Sequence, residues 1–167
     1  VTFTTGIWSL NDALVGTSTS DPKVGTKSVR IQNTGTVEMN FNLTNGATSV
    51  SVKHAKYGTD ANSTWSLSYS TNSGLTWTAL GSIATTSSTA LTTTSFSLNV
   101  IGNIRFRLTK LSGGRLNVDD FSVVDQGGTS GGGSTGGTPT RDNNLEMGNP
   151  SGATNLATNL SNYLLLK

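Results

Sequence analysis

Thr-Val-Glu-Met-Asn-Phe-Asn-Leu, residues 36–43, decides the fold class of this chain, because polar and apolar side chains alternate along it without interruption. A period of two places successive side chains on opposite faces of an extended strand. The apolar face consists of Val37, Met39, Phe41 and Leu43. The polar residues between them are Glu38, Asn40 and Asn42. One face of this strand is therefore expected to cover a core while the other meets solvent.

The same alternation recurs in short runs throughout residues 1–126, separated by clusters of Gly, Asn and Ser. Further apolar sets of one parity are Trp65-Leu67-Tyr69, Phe96-Leu98-Val100 and Ile104-Phe106-Leu108. Many short strands without a convincing helix predict an all-β, antiparallel β-sandwich. The apolar residues between 116 and 123 do not keep one parity, so we expect a β-bulge near Asp119-Asp120.

A change of composition ends this domain at residue 126. Residues 127–140 read GGTSGGGSTGGTPT, which is typical of a flexible linker about 20 Å long on average. We therefore expect a domain at 1–126, a linker at 127–140 and the start of a second domain at 141–167, the last two forming a flexible C-terminal tail.

Charge and cysteine content limit the function classes. The chain has 11 basic and 9 acidic side chains and a formal net charge of +2, too little to mark a nucleic-acid-binding protein. It has no cysteine, so disulfides and thiolate metal sites are excluded. We find no signal peptide and expect no membrane span.

Four stretches together resemble one accessory module: residues 8–17, 27–31, 54–58 and 113–121. This jelly-roll domain precedes nucleases and other secreted enzymes in Bacteroidetes, and it is similar to carbohydrate-binding modules. The resemblance covers nearly all of residues 1–126 and rests mostly on turns and core positions. It implies a jelly-roll β-sandwich in a secreted or cell-surface protein, extracellular or periplasmic.

The end of the chain carries a second resemblance. Residues 148–154, Gly-Asn-Pro-Ser-Gly-Ala-Thr, and residues 162–165, Asn-Tyr-Leu-Leu, resemble the entry segment of the DNA/RNA non-specific endonuclease family. That family cuts nucleic acid with a divalent metal, usually magnesium, and a histidine base in an Asp-Arg-Gly-His stretch. No such stretch occurs here, so the resemblance implies a nuclease parent, with magnesium and nucleic acid bound only by the rest of its nuclease domain. The alternative is a short amphipathic tail unrelated to any nuclease.

Two aromatic residues are candidate ligand contacts. Sugars and bases both stack on exposed aromatic faces, and Trp8 and Tyr57 are less committed to the core by their pattern than Trp65 and Tyr69. Trp77 belongs to a sequence of the Asp-box type, residues 70–77, which predicts a structural hairpin.

Four basic side chains are candidates for a charged binding surface. Polar strand faces carry Arg30, Lys53, Arg105 and Arg107, which could together bind nucleic acid or an acidic glycan. The alternative is solvated cations that face Glu38, Asp60 and their neighbours across the strands.

Asn117 and Asp120 are candidate ligands of a structural calcium ion, because calcium prefers clustered carboxylate, amide and backbone oxygens. Ordinary hydrogen bonding by Asp120 in a turn is the alternative. The single histidine, His54, lies among strand residues without a carboxylate partner in its pattern, so we expect a structural role for it.

Together with these residues, the two resemblances imply a non-catalytic targeting or binding domain for a glycan or a cell surface, carried by a secreted nuclease. Two alternatives are a nucleic-acid-tethering domain and a structural spacer without a ligand. The sequence does not predict the oligomeric state.

Overall fold

A computed structural model describes residues 1–3 and 6–126. The linker and the segment resembling a nuclease, residues 127–167, lie outside the described residues. The strands are β1 (Thr2–Phe3), β2 (Gly6–Gly16), β3 (Ser28–Met39), β4 (Ala47–Lys56), β5 (Ser63–Ser70), β6 (Thr78–Thr86), β7 (Thr92–Val100), β8 (Arg105–Gly113) and β9 (Leu116–Val124). The described part of the chain contains no helix, and all its strand pairs are antiparallel. The described residues therefore include no helix long and apolar enough to cross a membrane.

The fold is the expected β-sandwich, and β3 belongs to both of its sheets. On one side β3 pairs with β2, while on the other its residues 29–31 pair with β9 and its residues 36–38 pair with β8. One sheet therefore continues through β8, β5 and β6, and the other through β9, β4 and β7. Strands β6 and β7 are the two ends of this order.

The buried faces of the two sheets form the core. Trp8 of β2 contacts Phe121 of β9 with ring centroids 5.6 Å apart, and Trp65 of β5 contacts Phe96 of β7 at 5.9 Å. Both pairs meet edge to face, the arrangement that aromatic quadrupoles favour. Most of the alternating residues predicted to face inwards are buried, including Val37, Met39, Phe106 and Leu108. The others, such as Tyr69, are half-buried and pack against the core.

Two irregularities of the strands bear on the predictions. Strand β3 ends at Met39, so Phe41 packs against the core from beyond the strand, and Leu43 forms an isolated bridge to Ile104. The predicted bulge in β9 is confirmed: the register with β4 shifts at Asp120, whose φ is 43°.

A buried lysine was not predicted from the sequence. Lys110 is 1% exposed, and its Nζ donates to the carbonyls of Asn33, at 2.7 Å, and Gly113, at 2.9 Å. Asn33 lies where β3 passes from one sheet to the other and has a φ of 43°. Lys110 thus satisfies one carbonyl at the bend that joins the sheets and one at the end of β8, and burial lowers its pKa.

His54 has the predicted structural role. It is 3% exposed, its Nδ1 lies 2.7 Å from Thr86 Oγ1, and its Nε2 lies 2.8 Å from Thr94 Oγ1. The Trp65 indole donates to the same Thr86 oxygen at 3.0 Å. Because the indole N–H can only donate, one assignment satisfies every group: Thr86 donates to His54 Nδ1, and His54 Nε2 donates to Thr94. This network ties β4, β5, β6 and β7 together.

Candidate functional site

Three connections meet beside Tyr57, the residue that follows β4. They are the β2–β3 connection at 17–27, the β4–β5 connection at 57–62 and the β8–β9 turn at 114–115. Tyr57 N donates to Arg115 O at 3.1 Å, and Gly58 N donates to Ser20 O at 3.2 Å. The φ of Gly58 is 47°, which a glycine adopts without strain. Backbone hydrogen bonds therefore fix Tyr57 at this end of the sandwich.

Two guanidinium groups pack on the half-buried Tyr57 ring. The Arg115 guanidinium carbon lies 3.9 Å from the ring centroid, and that of Arg30 lies 4.5 Å away. Both distances are within the range of cation–π attraction. The structure thus brings together two predicted site residues, Tyr57 and Arg30, and adds Arg115, which sequence reasoning missed. Arg115 lies in the turn after Gly113, whose φ is 82°, and the pairing of β9 with β4 brings it beside Tyr57.

Each of these arginines is held by an aspartate. Asp60 Oδ2 accepts from Arg115 Nε at 2.7 Å, and Oδ1 accepts from Nη2 at 2.8 Å, which makes a two-point ion pair. Asp60 also accepts from Arg115 N at 2.9 Å. The hydrogen bonds from Arg115 hold the pKa of Asp60 at about 2. This bidentate geometry fixes the guanidinium plane over Tyr57.

Asp21 forms an ion pair with Arg30. Its carboxylate accepts from Arg30 Nη1 at 3.1 Å, from Asn117 Nδ2 at 2.9 Å and from Ser18 Oγ at 2.7 Å. Burial by itself raises the pKa of Asp21, but the bonds from Asn117 and Ser18 and the charge of Arg30 outweigh it and lower that pKa. We call Tyr57, Arg30, Arg115, Asp21 and Asp60 the Tyr57 cluster. Its side chains are positioned by one another before any ligand arrives.

The Tyr57 hydroxyl lies at the exposed side of the cluster. It is 3.5 Å from Ser18 Oγ, and this hydrogen bond lowers the pKa of the Tyr57 phenol. The cluster therefore places a hydroxyl, guanidinium N–H groups and carboxylate oxygens around one aromatic ring. Such a group of hydrogen-bond donors and acceptors beside an aromatic ring suits a polyhydroxylated ligand.

Trp8 does not fit the predicted role of a ligand contact. It is 1% exposed, and its ring packs against Phe41 and Phe121 with centroids 5.9 and 5.6 Å away. No face of the indole is open to a ligand, so that prediction was wrong. The parity of Trp8 with Leu10 against Ser9 and Asn11 indicated a core position.

The four predicted cations do not form one surface. Arg30 and Lys53 alternate with buried residues of the sheet that contains β9 and β4, whereas Arg105 and Arg107 alternate with Phe106 in the other sheet. Because the buried faces pack against each other, the two pairs of cations lie on opposite sides of the sandwich. The predicted basic sheet surface is therefore wrong.

Each of these cations already has a partner within the domain, and that of Arg30 is Asp21. Lys53 Nζ lies 2.6 Å from Asp120 Oδ2, and Arg107 Nη1 lies 3.8 Å from Glu38 Oε2. Arg105 Nε donates to Asn42 Oδ1 at 2.8 Å. Pairing across strands with Glu38 is what the alternative interpretation of these charges predicted.

A second polar surface lies beside Trp77. Its half-buried indole carries the Arg107 guanidinium carbon 4.3 Å from the ring centroid. Ser68, Arg107, Glu38 and Ser9 lie in one row across strands β5, β8, β3 and β2. We call this row, with Trp77, the Trp77 face.

The Asp-box hairpin that carries Trp77 forms as predicted. Gly74 has a φ of 89°, and Asn72 Oδ1 accepts from Thr76 N, four residues on, at 2.9 Å. Ser70 Oγ accepts from Gly74 N at 2.9 Å and closes the turn.

The predicted calcium ligands have different surroundings. Asn117 Nδ2 donates to Asp21 and Ser28, and Asp120 pairs with Lys53. Asn117 Oδ1 and Asp120 Oδ1 are buried and accept no hydrogen bond from the described residues, which favours a bound cation. The ammonium group of Lys53, which pairs with Asp120, disfavours a second cation there. The described residues contain no group of three or more His, Cys, Asp or Glu side chains that could hold a metal ion. The calcium site stays a prediction.

Solved carbohydrate-binding modules have a similar fold. The xylan-binding domain CBM22-1 of Paenibacillus barcinonensis Xyn10C matches with a TM-score of 0.53 and 11% identity, over 73% of this chain and 88% of that chain. CBM35 from Paenibacillus barcinonensis matches with a TM-score of 0.51 and 17% identity, over 70% and 91%. TmCBM61, solved in complex with β-1,4-galactotriose, matches with a TM-score of 0.51 and 13% identity, over 71% and 88%. No protein-family model and no curated protein sequence matches this chain. At these identities the likeness establishes the fold, a jelly roll like that of carbohydrate-binding modules.

Proposed function

We propose that this chain is a non-catalytic glycan-binding module and that the Tyr57 cluster contacts the sugar. The observation that carries the proposal is the half-buried Tyr57 ring held between loops at one end of the sandwich, with two guanidinium groups within 4.5 Å of its centroid. The likeness of the fold to solved carbohydrate-binding modules supports it.

The chemistry of the cluster suits a sugar better than a reaction. Sugar hydroxyls both donate and accept, and here Arg115 supplies N–H donors while Asp60 and the Tyr57 hydroxyl supply acceptors. The ion pairs fix these groups in advance, so little side-chain entropy is lost when the ligand binds. The one histidine of the chain is buried between Thr86 and Thr94 and cannot act as a base on a bound ligand.

A glycan array on the full chain, followed by calorimetry on the best ligand, tests this proposal. We expect saturable binding that Tyr57→Ala weakens at least about tenfold, since losing one well-packed contact costs more than about 1.4 kcal/mol. Arg115→Gln should weaken it too, whereas Trp77→Ala serves as the matched aromatic control. Binding lost in Trp77→Ala and retained in Tyr57→Ala would move the site to the Trp77 face. A silent array would reject the proposal.

The role in a larger protein is a proposal of its own. The resemblance of residues 148–154 and 162–165 to a nuclease entry segment supports an accessory domain of a secreted DNA/RNA non-specific endonuclease. An Asp-Arg-Gly-His stretch encoded downstream of this chain is the expected finding. A downstream sequence of any other family would contradict it.

Nucleic-acid tethering is the alternative function. It predicts affinity for DNA that falls steeply with salt, because each phosphate contact releases a counterion. The separation of Arg30 and Lys53 from Arg105 and Arg107 argues against it. A spacer role predicts no ligand in either assay.

The calcium prediction has a separate test. A calcium ion held by Asn117 and Asp120 would raise the melting temperature of the chain, and EDTA would lower it. An unchanged melting temperature in EDTA would reject it.

A further inference from the structure

Strand β7 leaves a straight edge without a backbone partner in the described part of the chain. It pairs with β4 alone, and from Thr92 to Ser97 this pairing runs in register without a shift. Alternate backbone N–H and C=O groups of these residues therefore point away from β4. Such an edge is a template for another strand.

Two of the usual protections of an edge strand, charge and proline, are missing in β7, and its bulge lies at Leu98-Asn99, beyond the part that runs in register. Charged side chains, proline and bulges discourage pairing at an exposed edge. Residues 61–104 contain no Asp, Glu, Lys, Arg or Pro. Strand β6, at the other end of the order, is protected by a bulge, because three residues from Gly81 to Ile83 lie opposite Ser66. Strand β7 has no such interruption between Thr92 and Ser97.

An uncharged groove runs beside this edge. It has a volume of about 430 Å³ and is lined by residues 81–85 of β6 and 94–97 of β7. The Phe96 ring lies against Gly81, where an added Cβ would come within 2.6 Å of it, and Ile83 is 61% exposed nearby. An extended chain added to β7 would cover this groove.

We propose that β7 pairs antiparallel with β7 of a second copy of this chain, about a twofold axis at Ser95. This register places Thr93 opposite Ser97 of the other copy and Thr94 opposite Phe96 of the other copy. Thr93, Ser95 and Ser97 are exposed, while Phe96 is buried towards the core. Hydroxyl pairs and aromatic–β-branched pairs are both favourable across strands.

The absence of charge favours a second copy as the occupant. In a twofold pairing, β7 of one copy lies beside the identical β7 of the other copy. A charged residue at the axis would therefore face the same charge on its counterpart. No residue of β7 is charged, so the strand avoids this penalty along its whole length. The regular pairing about Ser95 covers five residues of each copy, Thr93 to Ser97, and buries less area than a standard interface, so the expected association is weak. It does not depend on glycan binding.

Cysteine cross-linking tests the register. The chain has no cysteine, so Ser95→Cys introduces a single thiol that would lie opposite its own copy. We expect Ser95→Cys to form a disulfide-linked dimer under mild oxidation. Ser82→Cys, at an exposed position on the bulged edge of β6, is the matched control. Equal cross-linking of the two variants would overturn the proposal.

A charge exchange tests the partner's identity. In the Thr93→Glu/Ser97→Lys variant, opposite charges face each other across the axis, whereas in Thr93→Glu/Ser97→Glu like charges do. The twofold axis gives each dimer two such pairs. We therefore expect Thr93→Glu/Ser97→Glu to associate about tenfold more weakly than Thr93→Glu/Ser97→Lys, as measured by sedimentation of the full chain. Equal association of both folded variants would overturn the proposal, as would a wild-type chain that stays monomeric up to its solubility limit. If a different peptide bound the β7 edge while the chain itself stayed monomeric, the proposal of a second copy would be refuted.

Discussion

The hydrogen bonds of Thr86 should stabilise the edge of the sandwich far more than the size of its side chain suggests. Thr86 is fully buried, and its hydroxyl accepts from the Trp65 indole at 3.0 Å and lies 2.7 Å from His54 Nδ1. Thr86→Val keeps the shape and removes both bonds. Two buried polar groups then lose their partner, at about 1–3 kcal/mol each, so we expect a loss of about 2–6 kcal/mol.

Chemical denaturation of the full chain, monitored by tryptophan fluorescence, measures this loss. Thr85→Val is the matched control, because Thr85 is the exposed neighbour on β6 and the same change there should cost less than about 0.5 kcal/mol. Thr94→Val removes only the contact with His54 Nε2, which is 2.8 Å long, and should fall between the two. If Thr86→Val matched Thr85→Val, the network would not stabilise the fold and the reasoning would be refuted.

Three further predictions concern single side chains. Burial lowers the pKa of His54, so the folded chain binds this proton less readily than the unfolded chain. Wild-type stability, measured by denaturation relative to His54→Gln, should therefore decline as pH falls below about 6.5, and a difference independent of pH would contradict this. Lys110→Met leaves two buried carbonyls without a donor and should cost about 2 kcal/mol or more, whereas an unchanged or higher melting temperature would show that the buried ammonium is itself unfavourable. Asp60→Asn weakens an ion pair at the surface whose two residues are half-buried, and it should cost about 1 kcal/mol in denaturation, while lowering glycan affinity through a freed Arg115; unchanged affinity would remove Asp60 from the site.

Local patterns in the sequence were sufficient to predict the fold. Alternation along residues 36–39 and 104–108 identified the strands and their buried faces, and broken parity identified the bulge at Asp120. These features depend on the two-residue period of a strand, which neighbouring residues reveal. The burial of Lys110 follows the same rule, since it has the parity of Phe106 and Leu108, but its charge concealed the pattern.

The candidate site depends on contacts between strands that are distant in the sequence. Tyr57 and Arg30 were each predicted from the sequence as candidate ligand contacts. Their contact with Arg115 depends on β3, β4 and β9 being neighbours, which the sequence did not predict. The failure of the basic surface has the same cause, because strand order decides that Arg30 and Arg107 lie on opposite sides. Trp8 was misassigned although its parity with Leu10 indicated the core.

The position of the glycan on the molecule tests the central claim most directly. Backbone chemical shifts of the full chain, followed while the best ligand from the array is added, would locate it. We predict changes concentrated in residues 17–27, 57–62 and 114–115, around Tyr57. Changes centred instead on Arg107 and Trp77, or no changes with any glycan, would contradict the account.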